Sequence, residues 1–314
     1  MAVGKKGFFF TITAIMLLIA LALLISVQVN YEPKDHTILR TRTSTMNDFV
    51  KTVRSDLQRG LYITSFRSVL SMEQYISTYG VFLNSSDTQF KSAILSGKIN
   101  NVSMGLVQNS TFPDWAQSIK LKARDIGLVA NISIDGVSVG HQDRWNLVVS
   151  SNITVNITDE QNTAVWRVNQ TVTSIIPIIG LEDPVFTVNS NGKIIRIINS
   201  TPYDGKYVQG TNTSNLTSHI DGYFYTNGTG PSFLMRFEGN YSNSTFGIES
   251  FVNVPQLDSY DLPQYKRSMI DYVYFANTST DAIYVVNSTY TSWLVIDNAH
   301  RSRYQVANYS YLSP

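Results

Sequence analysis

The sequence predicts an α+β chain: an N-terminal transmembrane helix, an amphipathic helical stalk or cap, then a mostly antiparallel, sandwich-like β domain. Three observations carry that reading. Residues 8–27 form an apolar run without a charge, residues 44–80 place apolar side chains at steps of three and four, and from about 129 the period changes to two. The segments expected are a short cytoplasmic leader at 1–7, a membrane helix at 8–27, a helical stalk or cap at 28–128 and a β-rich extracytoplasmic domain at 129–314.

The run FFFTITAIMLLIALALLISV holds only two Thr and one Ser as polar residues. A helix of that length spans ~30 Å, the thickness of a bilayer's hydrocarbon core. A cleaved secretory signal has a shorter apolar run, ~7–15 residues, ending at a small-x-small site. The following ISVQVNYEP offers no such site, so a retained single-pass anchor is expected. Lys5 and Lys6 precede the run, but Lys34, Arg40 and Arg42 follow it, and flanking charge leaves the orientation open.

Glycosylation sequons decide the orientation. Asn-x-Ser/Thr occurs at Asn84, Asn101, Asn109, Asn131, Asn152, Asn156, Asn169, Asn199, Asn212, Asn215, Asn227, Asn240, Asn243, Asn277, Asn287 and Asn308. The content of 25 Asn, 35 Ser and 28 Thr in 314 residues would give about five by chance. None precedes the apolar run, so the N-terminus is expected in the cytoplasm and the bulk of the chain outside, N-glycosylated. Zero cysteine excludes disulfides, thiolate metal sites and a cysteine nucleophile. A net charge of +1 with 15% charged residues argues against a nucleic-acid partner. Sixteen sequons without a cysteine fit an archaeal envelope protein better than a eukaryotic secreted one.

Within the helical region, Met46, Phe49, Val50, Val53, Leu57, Leu61, Tyr62, Phe66, Val69, Leu70, Ile76 and Tyr79 define one face of a helix over 44–80. Ser44 or Thr45 would cap it and Gly80 would end it. Shorter helices are expected near 87–97 and 113–126. In 145–157, Trp145, Leu147, Val149, Ile153, Val155 and Ile157 alternate with polar residues, and Trp166, Val168, Val172 and Ile176 repeat the pattern. The alternation of Phe233, Met235, Phe237 and Tyr241 with Arg236, Glu238 and Asn240 predicts a strand over 233–241. Acceptors Asn152, Asn156, Asn169 and Asn240 then fall on wet faces. Further strands are expected near 184–189, 193–198, 222–226, 247–253, 269–276, 282–287 and 292–297. The stretch 199–221 reads as a polar loop, and Asn191-Gly192, Asp204-Gly205 and Asn227-Gly228 as turns.

Chemical motifs are sparse. The four histidines His36, His141, His219 and His300 form no metal-ligand spacing, although Asp297 and His300 can meet on one turn. Glu182 and Asp183 stand before Pro184 as a turn, and Asp258, Asp261 and Asp271 cluster loosely. Neither group gives a carboxylate pair that sequence can place at glycosidase separation. Trp145 and Trp166 belong to apolar strand faces, whereas Tyr260, Tyr265, Tyr304, Tyr309 and Tyr311 suggest an exposed aromatic surface. No catalytic residue, cofactor, metal or small-molecule substrate is expected.

Lys5-Lys6-Gly7-Phe8, set directly before the apolar run, resembles the leader of type IV pilin-like proteins. The resemblance implies cleavage after Gly7, leaving Phe8 as the new N-terminus. Many pilins carry Glu at the fifth mature position, where this chain has Ile12, and the chain is longer than an ordinary pilin, which argues for a tip or accessory subunit over a bulk filament protein. KKGFFFTITAI, MNDFVKTVRSDLQRGLYITSFR, HQDRW, IIPIIGLEDPVFTVNSNGK and RFEGNYSNSTFGIESFVNV resemble an uncharacterised group of archaeal membrane-anchored proteins with such leaders. The function expected is a single-pass, N-glycosylated envelope surface protein with a structural or adhesive role and no catalysis. Its partners would be the lipid bilayer and other envelope or pilin-like subunits. The alternatives are a minor pilin and an anchored exo-enzyme acting on envelope glycans or peptides.

Overall fold

The computed structural model describes residues 5–30, 34–160, 164–276, 282–286 and 293–313, with side chains at 7–27 and from 40 onward. Helices α1 (Lys5–Asn30) and α2 (Lys34–Tyr79) lead into α3 (Ser86–Ser96), the short hairpin β1 (Lys98–Ile99) and β2 (Val102–Ser103), and α4 (Phe112–Arg124). Three long strands follow: β3 (Leu128–His141), β4 (Asn146–Asp159) and β5 (Val165–Pro177). The remaining elements are short: α5 (Pro184–Asn189), α6 (Ser214–Asp221), β6 (Thr226–Asn227), α7 (Phe233–Phe237), β7 (Ile248–Glu249), α8 (Val254–Ser259), α9 (Asp271–Phe275), β8 (Ile283–Val286), β9 (Val295–Asp297), α10 (Asn298–Arg301) and β10 (Ser310–Leu312). Every pairing between named strands is antiparallel, so the chain is α+β as its sequence predicts.

Within α1, the 21 residues Gly7–Val27 are long and apolar enough to cross a membrane, and none is buried against the rest of the chain. Helix α2 is continuous for 46 residues and starts at Lys34, ahead of the predicted 44. Its first turns carry no apolar stripe, so periodicity reveals only the part that packs. Ser44 and Thr45 therefore lie inside the helix and cap nothing. Gly80 does end it, at φ 65 with its N–H on the Ile76 carbonyl at 2.8 Å.

From Met46 to Ile76, α2 buries Val50, Val53, Leu57, Leu61, Val69 and Met72 against one face of the β3–β4–β5 meander and the helices around it. Each such aliphatic side chain contributes ~1.5–3 kcal/mol when fully buried. The inner face of β4 is Leu147, Val149, Ile153, Val155 and Ile157, all buried, with Val155 opposite Val168 and Leu147 opposite Ile176. The middle of the outer face is polar, with Asn131 opposite Asn156, Thr171 opposite Asn152 and Asn169 opposite Thr154, while Val129, Val165 and Ile175 are exposed toward its ends. At the lower end Arg42 of α2 sits 3.6 Å from Asp159, which also accepts the Ala164 N–H at 2.8 Å across the β4–β5 turn.

Past Pro177 the predicted strands are largely replaced. Residues 184–189, 233–241 and 269–276 contain helices α5, α7 and α9, and 193–198 makes a single bridge, Glu182 to Ile197. Residues 222–226 and 247–253 shrink to the two-residue strands β6 and β7, while β8 and β9 stand where 282–287 and 292–297 were expected. The 199–221 stretch includes helix α6. Over five or six residues an apolar alternation fits a helical turn as well as a strand, so the period misleads. Capping residues beside prolines mark the helix starts. Asp183 caps α5 through Val185 N–H with Pro184 behind it, Thr111 and Asp114 form a capping box on α4 beside Pro113, and Asn253 caps α8 beside Pro255.

Gly60 of α2 makes room for Trp115 of α4: a Cβ there would lie 2.7 Å from the indole ring. Alanine normally favours a helix interior over glycine by ~1 kcal/mol. Overpacking of this order costs ~1–3 kcal/mol. Gly60→Ala is therefore expected to lower the melting temperature of the detergent-solubilised chain, against the propensity trend, as read by circular dichroism.

Candidate functional site

Among the described residues Arg236 is the largest fully buried side chain, on a segment whose alternation predicts it on a wet face. Helix α7 turns Phe233, Leu234, Arg236 and Phe237 inward together. The guanidinium donates to Asp183 Oδ2 at 2.6 Å, to Asp271 Oδ2 at 2.9 Å and to the Ile248 carbonyl at 2.6 Å. Asp183 also accepts the Tyr225 hydroxyl at 2.7 Å, and Asp271 accepts the Ser250 N–H and hydroxyl at 3.1 and 3.0 Å and the Tyr272 N–H at 2.7 Å. Burial works against the Arg236 charge, but the two carboxylates outweigh it and hold its pKa above the usual value. Burial pushes Asp271 up to about 6 against the pull of Arg236, leaving it ionised at neutral pH. Two of the acidic residues flagged in sequence, Asp183 and Asp271, thus converge, but on a cation and away from solvent. Asp258 and Asp261 stay exposed, and Glu182 is half-buried with its N–H on Glu73.

A second network adjoins the first through Glu249 and Tyr272. His300 Nδ1 lies 2.7 Å from both Asp297 oxygens, and Nε2 lies 3.0 Å from the Tyr272 hydroxyl and 3.6 Å from Glu249 Oε2. Asp297 caps α10, which is why the i, i+3 pair meets. It also accepts the Ser268 hydroxyl at 2.6 Å. Glu249 accepts Tyr304 at 3.0 Å and faces Arg303 at 3.1 Å. Tyr304 is therefore buried, not part of an exposed aromatic surface, whereas Tyr260, Tyr265 and Tyr311 are exposed. Trp145 and Trp166 pack against the core.

Asp297, His300, Ser268 and Tyr272 form the floor of an open cleft of about 690 Å³, whose rim carries Thr229, Asn243, Gln264, Tyr265, Lys266 and Arg267. Burial alone would lower the His300 pKa, but hydrogen bonds to Asp297 and Glu249 raise it to about 9. At neutral pH both ring nitrogens then carry protons and neither can take one. Burial, only partly offset by the Thr229 hydrogen bond, holds the Tyr272 hydroxyl up at about 12, so it is no ready nucleophile. The Ser268 hydroxyl is committed to Asp297. This is a neutralised ionic floor under a cleft rimmed by hydrogen-bonding groups, an arrangement suited to holding a polar group.

The other histidines are separate. His219 is buried against Tyr207, Phe251 and Tyr304, where burial lowers its pKa to about 3; His141 stacks on Phe246 and burial lowers it to about 4. The side chain of His36 lies outside the described residues. Among the described residues no group of three or more His, Asp or Glu side chains is arranged so as to hold a metal ion.

The sequon asparagines are placed consistently. Asn84, Asn101, Asn109, Asn131, Asn152, Asn169, Asn199, Asn212, Asn240, Asn243 and Asn308 are exposed, and Asn156, Asn215 and Asn227 are half-buried. Asn277 and Asn287 lie outside the described residues. That is eleven exposed of fourteen, against three of seven for the other asparagines with described side chains, of which Asn47, Asn191 and Asn298 are exposed and Asn100, Asn146, Asn189 and Asn253 half-buried.

Two outcomes follow from the networks. Arg236→Met strands two buried carboxylates, and breaking a buried pair costs ~3–5 kcal/mol, so the variant is expected to unfold far earlier in denaturant than the parent. His300 gains a proton affinity on folding, from the ordinary 6.5 to about 9. Its stabilisation is full below pH 6.5 and fades as pH rises through 9. The stability difference between the parent and His300→Gln should accordingly shrink between pH 6 and pH 10, measured by urea unfolding. Comparison of the chain with protein-family models, with curated proteins and with solved structures gives no match in any of the three.

Proposed function

We propose that this chain is a single-pass, N-glycosylated surface protein of an archaeal cell envelope. In this reading α1 holds it in the membrane, the N-terminus is cytoplasmic, and the domain from α2 onward lies outside in a structural or adhesive role. The observation that carries the reading is the sequon distribution: a roughly threefold excess over composition, none before α1, and acceptors more exposed than the remaining asparagines. The apolar, wholly unburied α1 supports an anchor, and the three residues between α1 and α2 keep the domain close to it. The protonated His300 and the sealed Arg236 cluster support a role without catalysis.

A second reading, a minor pilin-like subunit processed after Gly7, is favoured by Lys5-Lys6-Gly7-Phe8 and by two long helices in succession at the N-terminus. Other envelope or pilin-like subunits would then be its partners.

Protease treatment of intact cells tests the location. Digestion of the domain with survival of an α1-containing stub is expected; full protection would refute an external domain. N-terminal sequencing of the membrane-extracted protein separates the two readings, since a start at Phe8 indicates a processed leader and a start at Met1 or Ala2 an unprocessed anchor.

A further inference from the structure

We propose that the cleft above His300 seats the glycan carried by Asn243, so that the protein binds its own modification. The proposal rests on the glycosylated reading above and goes beyond it by assigning a ligand to the cleft.

Asn243 opens the sequon Asn243-Ser244-Thr245, is exposed, and is itself part of the cleft rim. Its position is fixed. The next residue, Ser244, donates its N–H to the Thr229 and Gly230 carbonyls at 3.2 and 3.1 Å and accepts the Gly247 N–H at 3.1 Å, and its hydroxyl accepts the Phe246 N–H at 3.1 Å. A sugar attached to the Asn243 amide therefore starts at the mouth of the cleft.

The cleft has the size and chemistry for it. Small-ligand sites run about 300–1,000 Å³, and this one is about 690 Å³, room for a short oligosaccharide. Tyr265 is 45% exposed; the Arg267 guanidinium covers one part of its ring, 4.3 Å from the centroid, and the exposed remainder of this pair offers a surface for the C–H face of a pyranose. Lys266 and Gln264 are exposed beside it and supply donors for sugar hydroxyls. The floor is ionic but internally neutralised, so it presents polar atoms without an uncompensated charge that would demand a counter-ion. Tethering lowers the affinity required. A covalently held ligand meets its site at an effective concentration in the millimolar range, so individually weak sugar contacts suffice to keep it docked.

The test uses the glycosylated full-length protein extracted from its own membranes. Mild periodate, which oxidises the vicinal diols of accessible sugars, is applied to native and to denatured protein, and glycopeptides are read by mass spectrometry. The Asn243 glycan is expected to react about tenfold more slowly in the native protein, equivalent to ~1.4 kcal/mol of docking. Glycans on Asn131 and Asn199 should react equally in both states. Tyr265→Ala, and separately Lys266→Ala, should bring the Asn243 rate toward that of Asn131 while the melting temperature is kept; a variant that loses the melting temperature is set aside for the other. Equal native and denatured rates at Asn243, protection that survives both substitutions, or an empty Asn243 beside occupied Asn131 and Asn199 would each overturn the docking. Absence of glycan from every sequon would instead refute the glycosylated reading itself.

Discussion

One buried guanidinium organises the distal half of this protein. Arg236 reaches Asp183 before α5, Asp271 at the start of α9 and the Ile248 carbonyl of β7, tying together chain segments that lie 53 residues before it and 35 residues after it with three charge-assisted bonds. A buried charge is tolerable only when its partners satisfy it, and these partners are themselves held by Tyr225, Ser250 and backbone N–H groups. That requirement explains why so irregular a region, made of four- to eight-residue helices and two- to four-residue strands, adopts one arrangement. Hydrophobic contacts between such short pieces are poorly directional, whereas the fork of an arginine is not.

The proximal half is stabilised differently. There, a long amphipathic helix covers one face of a three-stranded meander, and the middle of the other face is left polar. The sheet keeps its wet side with Asn, Ser and Thr and few charges, which agrees with the low charged fraction of the whole chain. In the proposed function this face carries sugars, and the cleft of the distal half carries another sugar inward.

Much of the proximal half was legible because its signals are long. Alternation along most of β4 and β5, interrupted at positions such as Val148, Ser151 and Gln170, and the apolar stripe from Met46 to Ile76 are long enough to fix the element type. The distal half was not legible by period. Phe233, Met235 and Phe237 alternate, yet the segment is a helix because Arg236 must point inward to its carboxylates, and no local pattern announces partners at positions 183 and 271. The Asp297–His300 pair was visible from its spacing, but the position of Glu249 and Tyr272 around it was not, since both arrive from elsewhere in the chain. Caps carried more information there than hydrophobicity did: Asp183 and Asn253, each followed within two residues by proline, mark real helix starts.

The packed length of α2 has a mechanical consequence. Its buried residues run from Met46 to Ile76, ~45 Å of helix at 1.5 Å per residue. A pull on the chain ahead of Lys34 is delivered along that axis, so it loads the helix–sheet interface in shear, with many buried side chains sharing the force. The ion pair of Arg42 with Asp159 stands at the end of the interface nearest the load and would be strained first. Under such a pull the domain would yield by sliding the whole helix off the sheet, a harder event than peeling a terminal strand.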